Sequence, residues 1–342
     1  MSINPVEIPT GAVRFNTDSS KMEVYIGSTW MEVAVSSPNL GDTQSPAGAR
    51  GLFTGGSVPS KVNTVDYVTI SSAGNALDFG DLATAVRGHG AVASKIRALN
   101  GGGNPVSGNT NIIEFVTIAQ TGNSQDFGDL TLARDYLAGV NNATRGIFGG
   151  AWGPSSRSDR MDYVTIASTG NAIDFGDLTE AQQTDGSFSS PTRGFWVGGA
   201  TGSGPDYQAS TTGTQIECVT TTTLGNAFDF GDLQNGTYGK VGASNSTRGL
   251  AAGGYGSPAN ILAIELITMA TLGNASNFGN LTDAHYYGAA TSDTTRAIFA
   301  GGNGTNSIEY VSIATEGDSV DFGDLTQQRA TLKGLSNANG GL

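Results

Sequence analysis

Carboxylates spaced three residues apart recur along this chain. Asp78 and Asp81, Asp126 and Asp129, Asp174 and Asp177, Asp229 and Asp232, and Asp321 and Asp324 each bracket a Phe-Gly pair. Two carboxylates at that spacing suggest a cation site, since hard cations take oxygen ligands. The fifth position of the six-member series reads Asn277 and Asn280 instead, so the charge is dispensable there. The expected role of the pairs is therefore structural: hydrogen bonds to turn amides or to the recurring Arg50, Arg145, Arg193, Arg248 and Arg296. His89 and His285 are the only histidines, and Cys218 is the only cysteine. That set is too small for a transition-metal centre. Cys218 lies in a strand-like stretch and reads as a buried core thiol. No catalytic residue, metal or cofactor is assigned, and the chain is expected not to be an enzyme.

The elements around these carboxylates repeat six times, with Phe79, Phe127, Phe175, Phe230, Phe278 and Phe322 marking the register. A period near 48 residues signals a stacked or radial repeat architecture. The triplet Asp-Phe-Gly also binds metal in protein kinases, but here it recurs at strand ends without the other kinase signatures. In the third repeat, residues 145–150 read as a short apolar strand ending in a Gly pair, and residues 161–166 as an alternating β-branched and aromatic strand. Thr169-Gly170-Asn171 reads as a hairpin turn with Gly and Asn at positive φ. Residues 172–178 form the returning strand, and the small residues 184–190 a fourth. Six such units predict an all-β, six-bladed propeller. The first repeat lacks its small-residue strand, and residues 329–336 at the chain end match it. A strand from the C-terminus would complete the first sheet and remove an open edge.

A Gly pair after an apolar strand, then an acid followed by an aromatic, then a second aromatic a dozen residues on, resembles the kelch repeat over residues 49–342. The acids are Asp66, Glu114, Asp162, Glu217, Glu265 and Glu309, followed by Tyr67, Phe115, Tyr163, Cys218, Leu266 and Tyr310. The second aromatic is Phe throughout, where kelch repeats usually carry Trp. Copper oxidases with kelch-like propellers use more histidines and a Tyr–Cys arrangement than this chain has. A sialidase-like site would need a one-off arginine cluster, and no polar irregularity of that kind marks the repeats.

From acid to Phe the spacing is constant, whereas the loop after each Gly pair varies. These loops are residues 57–65, 103–113, 151–161, 200–216, 255–264 and 303–308. Insertions in repeat proteins collect on the binding face, and loops on a rigid scaffold carry recognition. Trp152, Tyr207 and Tyr255 stand in them among small polar residues, a mixture suited to sugar or peptide. They are the candidate binding residues.

The formal charge is −13 across 342 residues. Such a balance, without a Lys/Arg cluster, argues against nucleic acid or an anionic membrane as partner. No apolar run reaches the length of a membrane-spanning helix, and the start lacks the pattern of a signal peptide, so the chain is expected to be made in a cytoplasm. Gly accounts for 51 residues and apolar types for 37%, a composition for many short strands rather than long helices.

Residues 1–48 stand outside the repeat. Residues 1–35 alternate as three short strands, and a meander this small is marginal alone. Residues 36–48 read as a linker. Arg14, Phe15, Asn16 and Thr17, then Tyr25, Gly27 and Trp30, resemble a small module of tail fibres and other virion proteins of tailed bacteriophages. The Gly-Asn-Ala-x-Asp-Phe-Gly-Asp-Leu repeats are similar to those in structural proteins of marine phages, cyanophages in particular. The resemblance implies a virion surface protein, tail-associated, that attaches to other virion proteins through residues 1–35, with Arg14, Phe15, Tyr25 and Trp30 as the attachment residues. It implies adhesion to a host surface glycan or protein through the variable loops, with a homo-oligomer as a further expectation. The rival readings are a capsid decoration or collar protein, a glycan-processing enzyme, and a cellular kelch-like peptide-binding scaffold.

Overall fold

The computed structural model describes residues 9–16, 21–26, 28–32, 49–153, 155–200, 213–256, 259–302 and 304–342. Among them there is no helix. The chain divides into two compact units, Met1–Thr43 and Gln44–Leu342. The expected linker over residues 36–48 lies outside the described residues.

The second unit holds six four-stranded antiparallel sheets. Sheet 2 is typical. Its strands Gly90–Ala93, Arg97–Gly101, Ile112–Thr117 and Gln125–Asp129 pair in chain order. The first strands of sheets 3 to 6 are Ala138–Asn141, Gly186–Ser189, Val241–Ser244 and Ala289–Ser292. In sheet 1 the first strand comes from the chain end: Lys333–Ser336 pairs with Arg50–Thr54, Lys333 opposite Thr54. Each first strand packs beside the next, from Gly90–Ala93 through the series, and Lys333–Ser336 packs beside Gly90–Ala93. The small residues there are dictated by this closeness: a Cβ on Gly139 would lie 2.3 Å from the Ala91 carbonyl oxygen.

The hydrophobic core lies between sheets rather than inside them. One cluster joins Leu99, Phe115 and Phe127 of sheet 2 to Phe148 and Val164 of sheet 3, and another joins Phe53 and Val68 of sheet 1 to Ile298 and Phe322 of sheet 6.

The repeated motif is the seam between neighbours. Where the third strand pairs with the fourth, the register slips by one residue, so that Ile113 faces Gly128 while Glu114 faces Asp126. Phe127 is left out of the ladder, as a β-bulge leaves its extra residue. Its carbonyl accepts instead from Gly170 of sheet 3 at 2.8 Å, and the Asp129 carbonyl accepts from Ala172 at 2.7 Å. The Asn171 side chain accepts the Asp129 amide at 3.1 Å. The same bonds recur at every junction, including Gly74 to Phe322 between sheets 1 and 6 at 2.7 Å. A Cβ on Gly128, whose φ is +148°, would sit 2.4 Å from the Gly170 carbonyl oxygen.

Two expectations are corrected here. Only the Gly half of the expected positive-φ turn holds: Gly170 has φ +153°, but Asn171 does not have positive φ and serves as the acceptor across the seam. The arginines do not meet the Asp pairs. Each donates to carbonyls on the sheet beyond, as Arg97 does to Ile166 and Ala167 and Arg145 to Thr222. Arg97, Arg145 and Arg296 also lie over the ring of Phe115, Tyr163 or Tyr310 in their own sheets. Arg97 belongs fully to this series. The exceptional Asn280 has a reason as well: its partner across the seam is Asp318, which accepts from the Asn280 amide at 2.8 Å and its side chain at 3.3 Å. An aspartate there would set two carboxylates against each other.

In the first unit, Val13–Asn16, Lys21–Ile26 and Thr29–Glu32 form a three-stranded antiparallel sheet. The strand pleat separates its residues into two faces. Arg14 pairs with Glu23 at 2.8 Å and lies over the Trp30 ring at 4.2 Å, and Trp30 packs on Tyr25 at 5.3 Å. Phe15 falls on the opposite face with Val13, Met22 and Met31, all exposed. The four expected attachment residues therefore do not form one patch.

Candidate functional site

The acid of each third strand is turned inward and holds the crossover that arrives from the preceding sheet. Asp162 accepts the Thr131 amide and hydroxyl, and pairs with Arg134 at 3.0 Å with both side chains fully buried. Asp66 does the same with Thr326 and with Arg329 at 2.7 Å. Glu309 takes Thr282, Ser319 and His285; burial alone would raise its pKa, but these bonds outweigh it and hold the carboxyl at about 2. Arg134, His285 and Arg329 each stand seven residues after the Phe of their crossover.

The next residue, eight after the Phe, is Arg87, Asp135, Gln183, Tyr238, Tyr286 or Ala330. It forms a short bridge with the variable loop: Arg87 with Asn104, Asp135 with Trp152, Gln183 with Ala200, Tyr238 with Tyr255, and Ala330 with Ser57. This position sits beside the loops on a conserved backbone path, yet its side chain changes almost every time. The residue after it has left-handed backbone in five of the six crossovers, and in two of these it is a tyrosine, Tyr136 (φ 51°) and Tyr287 (φ 54°). A bulky residue there is strained by roughly 1–3 kcal/mol and needs surroundings that enforce it. Tyr136 accepts the Thr184 amide, and Tyr287 donates to the Gly239 carbonyl.

These tyrosines meet at 5.7 Å between ring centroids, and Tyr287 continues to Tyr286 at 4.4 Å and Tyr286 to Tyr255 at 5.6 Å. At the other end of the run, Tyr136 lines a groove of about 530 Å³ with Arg87, Asn104, Asp135, Trp152, Arg157 and Gln183. That volume lies within the range of small-ligand sites, about 300–1,000 Å³. Trp152 is locked by backbone bonds to Asp135, 2.6 Å out and 3.0 Å back, and Asn109 donates to its carbonyl at 2.9 Å. The Arg157 guanidinium lies 5.5 Å from the Trp152 ring and that of Arg87 5.8 Å from the Tyr136 ring.

Asp135 is the groove's carboxylate, and its Oδ1 is buried without a hydrogen bond. Burial pushes its pKa up to about 6, against the pull of Arg87 and of the bond from Asn109. Nε of Arg87 is likewise buried without a partner. Lys61 stands next to the groove, bonded to the Asn104 side chain and the Pro105 carbonyl, its pKa lowered by burial and by Arg87. Behind the crossovers, the Lys333 ammonium meets Asp185 at 3.4 Å.

Of the sequence candidates, Trp152 lines the groove, Tyr255 sits at the far end of the tyrosine run, and Tyr207 lies outside the described residues. Arg87, Asp135, Tyr136 and Arg157 were missed, and they supply a polar irregularity among the repeats. The signal was present: aligned on the Phe, position eight differs in nearly every repeat. The Gly-pair register also needs correction. The left-handed pair is Gly102-Gly103, not Gly101-Gly102, and its equivalent is Gly150-Ala151, with only Gly150 left-handed, not Gly149-Gly150. With that shift, each Phe lies 24 residues before the second member of the next pair (79 to 103, 127 to 151, 175 to 199, 230 to 254, 278 to 302).

Among the described residues no three His, Cys, Asp or Glu side chains gather as metal ligands. Cys218 is buried, which pushes its thiol up to about 12 and away from the reactive thiolate. The chain matches no protein-family model and no curated protein.

Proposed function

We propose that the six sheets are the blades of a kelch-like β-propeller, and that the chain is a non-enzymatic virion surface protein of a tailed phage which adheres to a host surface glycan. The cyclic succession of first strands and the seam between sheets 6 and 1 support the propeller. The single observation that carries adhesion is the groove at the loop end, where half-buried Trp152 offers aromatic surface, backed by buried Tyr136, beside amides and charged groups. Rigid aromatics with adaptable polar neighbours are what a sugar ring needs, an apolar face to stack on and donors for its hydroxyls. The phage assignment rests on the sequence resemblance alone. The exposed apolar face of the small N-terminal sheet, with Val13, Phe15, Met22 and Met31, supports attachment to another virion protein through that unit.

The test is binding of the fluorescently labelled full chain to host cells, with immuno-electron microscopy of particles. The expected outcome is label on the tail and cell binding that is lost in Trp152→Ala. Label spread in hundreds of copies over a capsid would favour the decoration reading, and cell binding unchanged in the variant would remove the groove from the proposal.

A further inference from the structure

We infer that the groove is selective for an acidic saccharide, one whose carboxylate is read by Arg87 and Arg157 while its ring stacks on Trp152. This rests on the adhesion reading and narrows its ligand class. The first argument is charge. The chain carries a formal −13, yet the groove is lined by two arginines against one carboxylate, with Lys61 at its margin. A cationic concavity in an acidic protein favours an anion, because the local field there opposes that of the rest of the surface.

The second argument is geometry. Guanidinium groups bind a planar carboxylate with paired, charge-assisted bonds. Arg87 comes from the crossover between sheets 1 and 2, and Arg157 from the variable loop of sheet 3, so two separate elements bring the arginines to one groove. Arg87 has an unsatisfied buried Nε to offer. Each guanidinium is placed by an aromatic ring, Trp152 for Arg157 and Tyr136 for Arg87. Tyr136 holds its place at the expense of left-handed backbone, the kind of strain that collects at ligand sites.

The third argument is the unsatisfied acceptor. Asp135 Oδ1 is buried and has no donor, a costly arrangement for an isolated protein. A sugar hydroxyl supplies a donor at that point, and a fully deprotonated inorganic anion such as sulfate does not. The groove therefore asks for a molecule carrying both a carboxylate and hydroxyls, which is an acidic saccharide. Sulfate alone would leave Asp135 unsatisfied and add repulsion.

The experiment immobilises the full chain and measures binding of oligogalacturonate and sialyllactose, each beside its carboxyl-reduced neutral counterpart, with inorganic sulfate as a further probe. The expected result is at least tenfold tighter binding of the acidic member of one pair, weakening as salt rises. Arg87→Gln and Arg157→Gln should erase the preference, Arg87→Lys should retain part of it, and Trp152→Ala should weaken both members of the pair. Equal binding of acidic and neutral members would overturn the inference and leave glycan adhesion standing. Cell binding without binding of any saccharide would overturn both the acid specificity and the glycan, leaving a protein receptor. Sulfate displacing the saccharide completely at millimolar concentration would overturn the role given to Asp135. A preference that survives both Arg→Gln variants would overturn the assignment of the arginines.

Discussion

Two stretches of each repeat lie within ten residues of each other and behave in opposite ways. At the seam, Phe, Gly and the following Asp or Asn are the same in all six sheets. Eight residues after the Phe, the side chain is Arg, Asp, Gln, Tyr, Tyr or Ala. Both stretches have fixed backbones. The seam is fixed by its own bonds, and the crossover by the buried acid beneath it. The difference is what the side chain faces. At the seam a Cβ on Gly128 would meet the next sheet's backbone, so the sequence has no freedom. At position eight the side chain meets the loop end, so residue type can change without moving the scaffold. A repeat protein of this kind keeps its backbone symmetrical and places its chemistry where the symmetry of side chains fails.

The comparison breaks most severely if the crossover loses its anchor. Arg134→Ala leaves the fully buried Asp162 without its cation, and should cost about 3–5 kcal/mol in denaturant unfolding. Asp135→Asn probes the opposite side. The carboxyl's ordinary pKa of 3.8 is raised to about 6 in the fold. Below about pH 3.8 it is protonated both folded and unfolded and costs nothing; as pH rises to about 6 the unfolded chain loses its proton first, and stability falls. The two-unit shift corresponds to at most about 3 kcal/mol. The variant should therefore unfold at higher denaturant than the parent at pH 8 and match it at pH 3.5, while binding saccharide more weakly. An identical difference at both pH values would contradict the assigned titration.

Gly128→Ala tests the seam itself, with an expected loss of about 1–3 kcal/mol from overpacking against Gly170; the same change at Gly170, which shares the positive φ but has no atom near the added Cβ, should cost less. The smallest effect on stability should be that of Trp152→Ala, less than about 1 kcal/mol since its anchoring bonds are backbone. A large loss of stability in that variant would show that Trp152 is scaffold.

The strands and their order were legible in the chain because alternation and the recurring Phe report local backbone geometry. The strand Lys333–Ser336 was legible because one repeat lacked a first strand and the chain end resembled one. The seam was half legible. Its residues stood out as repeated, but their partners lie a full repeat away, so Asn171 looked like a turn residue and Asp129 like a ligand. The Gly pairs of the second and third repeats were displaced by a residue for the same reason: spacing along the chain does not say which glycine turns left-handed.

By itself the sequence determined the all-β class, the six-fold period and Trp152 and Tyr255 as residues of the variable loops. Only the tertiary structure decided that Arg87, from one crossover, and Arg157, from a loop 70 residues on (157 − 87), line the same groove, and that Phe15 turns away from Arg14 and Trp30. The physical reason is that local patterns fix φ, ψ and the buried face, whereas a site is made by side chains whose meeting depends on the packing of neighbouring sheets and on the face each pleat presents.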